Sequence, residues 1–177
     1  GSSISHIIPI LMTPFLTRLY SPEDYGILTL FLSLLSITSM ISSGRYYLAI
    51  LLPKDEDDAN TLKNISLLLN LLFFILSFII IVGLYYFSFI QDIFFRTENL
   101  VFLLPFATLC YSLFDIINYI LNRKSEYNSM SNIRIIRGTS SEASSLLFGF
   151  LNFGAVGLIL GNIIGNIIPV TIYQKYI

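Results

Sequence analysis

The chain has 177 residues and a formal net charge of −1, with 55% hydrophobic residues, only 12% charged residues and a mean hydropathy of +0.77. Typical soluble domains carry about 25% charged residues, so this composition excludes a soluble domain with one anchor and points to a polytopic membrane protein. No nucleic-acid partner is expected, and the single cysteine, Cys110, rules out an intrachain disulfide and reads as a small buried apolar residue.

The first hydrophobic segment, Ile4–Thr17, carries Pro9 and Pro14. The chain opens on GSSISHIIPILMTPFLT, with no initiator Met and no basic n-region, unlike a signal peptide. A first membrane helix that has lost its opening residues is expected. The second segment, Tyr25–Ser43, is uncharged. In the loop that follows, Tyr46, Tyr47, Leu48, Ile50, Leu51 and Leu52 form an amphiphilic stretch too short to cross a bilayer. It is expected at the membrane interface with its tyrosines at headgroup level. Pro53 ends it, and KDEDDANTLKN is expected as an aqueous turn.

The third segment, Ile65–Phe87, belongs to a run that carries no charge from Ile65 to Ile90. A hydrocarbon core of about 30 Å needs roughly 20 apolar residues in a helix, so this run alone predicts a transmembrane helix. The fourth segment, Leu100–Leu121, is interrupted by Asp115. The fifth, Ile133–Leu151, is rich in Ser and Gly and carries Glu142. The sixth, Ala155–Tyr173, spaces Gly157, Gly161 and Gly165 four apart. The expected fold class is an all-α membrane protein with six transmembrane helices in one lobe, 1–177, truncated at both ends.

Charge placement orients these spans. With the N-terminus inside, Arg45, Lys54, Lys63, Arg123, Lys124, Arg134, Arg137 and Lys175 fall on the inner side, and Arg18 and Arg96 on the outer. Cytoplasmic loops carry the excess of Lys and Arg, so the N-terminus is expected to be cytoplasmic.

The glycine stripe lets a second helix approach closely, as static packing or as a sliding surface. Pro9 and Pro14 free backbone carbonyls and permit kinks, which in transporters often line a substrate path. Ionisable groups inside a membrane usually face a cavity or a partner. Asp115, Glu142 and His6 are therefore candidates for proton or ion coupling. Arg134 and Arg137 share a helix face with Ser141 and Glu142. Guanidinium offers planar, permanently charged donors that suit phosphate, so both are candidates for receiving an anionic headgroup, with snorkelling to the interface as the plainer role. No motif of a catalytic site or metal cluster is present. No cofactor, no metal and no enzyme activity are expected.

The blocks TRLYSPEDYG at Thr17–Gly26, GRYYLAILLPKDEDDA at Gly44–Ala59, NRKSEY at Asn122–Tyr127 and GAVGLILGNIIGNII at Gly154–Ile168 resemble bacterial polysaccharide-biosynthesis flippases of the multidrug/oligosaccharidyl-lipid/polysaccharide exporter superfamily. Tyr47 departs from the family pattern, which carries an acid there. The resemblance implies the N-terminal half of a 12–14-helix transporter built of two lobes around a central cavity. It implies transport of an undecaprenyl-pyrophosphate-linked oligosaccharide, with membrane lipids, a C-terminal lobe, a polysaccharide polymerase and glycosyltransferases as partners. Arg18 and Arg45 lie in the matching blocks and join Arg134 and Arg137 as candidates for substrate binding. A drug or small-cation exporter of the same fold and a non-transporting scaffold of a glycan-synthesis complex remain the alternatives.

Overall fold

The computed structural model describes residues 2–86 and 100–176, with the side chains of residues 2–6 and 8 left aside. The described residues form seven α-helices: α1 Ser2–Leu19, α2 Pro22–Ser42, α3 Tyr46–Ala49, α4 Glu56–Tyr86, α5 Leu103–Arg123, α6 Tyr127–Phe150 and α7 Ala155–Ile172. One 3-10 turn, Gln174–Tyr176, follows. No strand occurs among these residues. Four helices, α2, α4, α5 and α7, are long and apolar enough to cross a membrane. The protein is an all-α membrane protein. Arg96 and the end of the charge-free run lie outside the described residues.

Local chemistry sets the helix boundaries. Ser21 caps α2 in a reciprocal box: its Oγ accepts from the Asp24 amide at 3.2 Å, and Asp24 Oδ2 accepts from the Ser21 amide at 2.8 Å. Pro22 fills the first helical position, where its missing N–H costs nothing. This is the physical content of the SPED string. α4 starts at Glu56, well before the apolar run, with Glu56, Asp57 and Asp58 in its first turn. Free N–H groups at a helix N-terminus favour negative charge, so the acidic cluster expected as a turn instead opens the longest helix. α5 ends in a Schellman turn: Ser125 sits at φ +56°, its amide donates to Asn122 O and the Glu126 amide to Leu121 O. α6 ends the same way around Asn152 at φ +59°, with Phe153 packed on Phe148.

The connections gather at two ends of the bundle. At one end Arg123 bonds the 50–55 segment, and the Tyr176 hydroxyl donates to Glu126. At the other end Gly154 abuts the Asp24 carboxylate. Gly154 has φ +55° and ψ −146°, a conformation only glycine adopts readily. The helices therefore alternate in direction, as the sequence pattern expects. Arg45, Lys54, Arg123, Lys124 and Lys175 lie at one end and Arg18 at the other.

α5 is central: it packs against α2, α4, α6 and α7. Phe31, Leu35, Ala107, Cys110, Ile159 and Ile163 form its apolar contact with α2 and α7. Hydroxyl pairs tie α2 to α5, Thr38 to Thr108 at 2.9 Å and Ser42 to Ser112 at 2.7 Å. Within a bilayer such pairs satisfy polar groups that lipid would leave unbonded. α4, which holds the charge-free run, lies at the edge of the bundle. It touches α5, α3 and α2 and leaves Leu68, Leu72, Ile75, Ile79 and Ile80 outward.

The closest pair of helices is α6 and α7. A Cβ on Gly161 would meet Ser145 Oγ and, at 2.9 Å, the Ser145 amide nitrogen; one on Gly165 would meet Ser141 Cβ at 2.6 Å and Arg137 O at 3.1 Å. The glycine stripe is thus filled by α6 backbone and serines. Tyr20, at the α1–α2 corner, donates its hydroxyl to Ser145 O at 2.6 Å and closes the same contact from the α1 side.

Candidate functional site

Most of the bundle is apolar or carries short hydroxyls that bond within it, so its larger polar groups stand out. Tyr111, Asp115 and Tyr119 recur every four residues along α5 and share one face. The adjoining face carries Phe114, Ile117 and Leu121, packed with Ile133 of α6. Asp115 is only partly buried. α5 is therefore a two-faced helix, apolar toward α6 and α7 and polar along a seam beside them.

Arg137 reaches this seam from α6. Its guanidinium carbon lies 4.9 Å from the centre of the Tyr111 ring and 4.6 Å from that of Phe114. Cation–π attraction holds such a group over a ring. Arg137 makes no ion pair among the described residues, and its charge acts on Asp115 across the seam. Tyr47 enters from α3: its ring centre is 5.1 Å from that of Tyr119, and it lies within electrostatic range of Asp115 and Arg45. Tyr47, Tyr111, Asp115, Tyr119 and Arg137 form one polar seam, with the exposed Arg45 beside Tyr47.

The residues expected from the sequence divide. Arg137 and Asp115 come together in the seam, and Arg45 stays exposed beside Tyr47. Arg134 is exposed, about one turn nearer the basic end than Arg137. Arg18 is exposed in the last turn of α1, at the far end, so the four arginines do not make one site. Glu142 stands about 7.5 Å further along α6 than Arg137 and interacts with Tyr25 of α2, away from Asp115. The side chain of His6 lies outside the described residues. Pro9 and Pro14 lie within α1, where Thr13 Oγ1 donates to Pro9 O at 2.7 Å. Among the described residues no cluster of three or more His, Cys, Asp or Glu side chains gathers to hold a metal.

Three seam residues were not singled out as site candidates. Tyr111 and Tyr119 were signalled by their four-residue spacing around Asp115. Tyr47, expected at headgroup level, is half-buried with its ring against Tyr119. Tyr46, Leu48, Leu51 and Leu52 remain exposed, but Ile50 is only 1% exposed, packed with Ile116 and Ile120.

The basic end is closed by a polar cluster. Glu126 accepts from the Tyr176 hydroxyl at 2.7 Å and from Ser129 at 2.9 Å, while Lys124 and Lys175 lie over the Tyr176 ring. The Tyr176 hydroxyl and then Ser129 hold the Glu126 carboxyl below the ordinary glutamate range, and the bond to Glu126 holds the Tyr176 phenol above its own. A depressed carboxylate pKa stabilises the fold above the unfolded value and loses that effect as pH falls through the folded one. The terminal turn is therefore expected to stay docked at neutral pH and to release only in acid, below the ordinary glutamate pKa. Hydrogen exchange of the 173–176 amides against pH checks this, and Tyr176→Phe is expected to remove the pH dependence.

No curated protein and no solved structure matches the chain. A family of polysaccharide biosynthesis proteins matches residues 15–176. That span covers every helix bearing the seam and leaves out only the first part of α1 and the last residue. The chain belongs to the polysaccharide biosynthesis protein family.

Proposed function

We propose that this chain is the N-terminal lobe of a transporter that flips undecaprenyl-pyrophosphate-linked oligosaccharide across the bacterial cytoplasmic membrane by alternating access, for surface polysaccharide biosynthesis. The observation that carries the reading is Arg137. In a family of polysaccharide biosynthesis proteins, it sets a guanidinium among membrane helices, over two rings and with no ion-pair partner among the described residues. A pyrophosphate bearing sugars cannot cross hydrocarbon unaided. A planar cation with free N–H edges offers it bidentate hydrogen bonds, and the seam tyrosines and Asp115 offer partners to sugar hydroxyls.

In this reading α1 and α6 also cross the membrane, giving six spans. α6 supports this by lying along the crossing helix α7 from Gly165 to Gly157, and α1 packs on α6. The N-terminus and the basic end are cytoplasmic, as the positive-inside rule favours. The seam faces a C-terminal lobe that completes the cavity. The protein makes and breaks no covalent bond, and it hands its cargo to a polymerase supplied by glycosyltransferases. The test is deletion of the full-length gene in its host. Loss of surface glycan with accumulation of lipid-linked precursor is expected; normal glycan without accumulation would overturn the reading.

A further inference from the structure

The linker between α2 and α4 is irregular, and one side chain organises it. Gly44 and Arg45 have φ of +52° and +57° and turn the chain back beneath the bundle. Ile50 then seats against Ile116 and Ile120 of α5. Beyond α3 the backbone has no helical ladder to accept its bonds, and its carbonyls need other donors.

Arg123, the last residue of α5, supplies them. Nη1 donates to Ile50 O at 2.8 Å and to Pro53 O at 2.7 Å; Nη2 donates to Asp55 O at 3.2 Å. The carboxylate of Glu56 lies 3.8 Å from Nε, but Glu56 is largely exposed, and solvent screens such a pair to little effect. The three carbonyl bonds dominate. The same linker carries Tyr47 to its contact with Tyr119 in the seam.

We infer that Arg123 is a positioning residue, whose guanidinium fork fixes the 43–55 linker to α5 as the floor of the polar seam, so that floor and α5 move as one body. The purpose of that motion rests on the transport reading; the fixing itself rests on the three bonds. Arg123 also adds to the basic charge at this end, a role that any cation fills. The two roles separate on substitution by lysine. An ammonium keeps the charge but is a point donor on a flexible stem, without the planar fork that spans three carbonyls.

The experiment uses the full-length protein in inside-out membrane vesicles and a membrane-impermeant maleimide. Ile50→Cys places a reporter thiol under the floor, Leu52→Cys gives an exposed control at a site 80% open, and native Cys110 reports the bundle interior. With Arg123 present the reporter at position 50 is expected to react slowly. In R123A and in R123K it is expected to react at least about tenfold faster, as local opening exposes it, with the Leu52→Cys control unchanged and Cys110 silent. Hydrogen exchange of the 43–55 amides, without any reporter, is expected to quicken in R123K while the α6–α7 turn does not change.

A reporter as protected in R123K as in the parent, with unchanged exchange, would reduce Arg123 to a charge and overturn the inference. So would protection retained in R123A, or Cys110 becoming reactive in step, which would mean that the whole bundle had loosened. Surface glycan measured in parallel separates the two readings. Glycan unaffected by deleting the gene, with the thiol still responding, refutes transport and leaves the positioning role standing.

Discussion

Gly161→Ala is expected to force α6 and α7 apart and to destabilise the bundle by about 1–3 kcal/mol, the usual cost of overfilling a tight contact. The added methyl would fall on Ser145 Oγ and 2.9 Å from the Ser145 amide nitrogen. The hydroxyl can rotate away, but the amide belongs to the helix and cannot. Relief therefore requires the helices to separate, which also strains the bond from Tyr20 to Ser145 O. Gly161→Leu is expected to be worse still, and Gly26→Ala, which meets nothing within 4 Å, neutral. Thermal or detergent denaturation of the purified full-length protein, comparing these three substitutions, checks the order. If Gly161→Ala melts with the parent, the helices are not held by close backbone contact.

Arg137→Ala is expected to lower surface glycan by roughly 10- to 100-fold at unchanged protein level. A charge-assisted hydrogen bond contributes about 1.5–3 kcal/mol, and each 1.4 kcal/mol is worth about tenfold. Arg137→Lys should keep part of the activity. An ammonium also sits over Tyr111 and Phe114, but it lacks the bidentate edge. Arg134→Ala, at an exposed position one turn away, should have the smaller effect. The readout is the ratio of surface glycan to lipid-linked precursor in cells carrying each variant. Equal loss for Arg134 and Arg137 would mean that both act only as interfacial charges, and the seam would lose its central residue.

The linker shows why the site was only partly legible. Composition and periodicity report whether a residue tolerates water. Tyr46 and Leu52 are accordingly exposed. Tyr47 and Ile50 have the same chemistry and sit in the same short stretch, yet they turn inward. Their direction depends on left-handed turns at Gly44 and Arg45 and on a distant guanidinium. Arg123 is likewise a basic residue in a basic region until its partners are seen. Three backbone carbonyls, anonymous in sequence, make it the anchor of the floor.

By itself the sequence determined the membrane class, the presence of the long apolar helices, and the end of the bundle at which basic charge collects. These follow from local quantities: length, hydropathy, capping and charge. Only the tertiary structure decided that Glu142 comes within electrostatic range of Tyr25, and that Tyr47 and Tyr119 meet beside Asp115. Those outcomes depend on the rotation of each helix about its own axis. That rotation is set where α6 backbone closes onto the α7 glycines and where α5 turns its apolar face to α6 and α7.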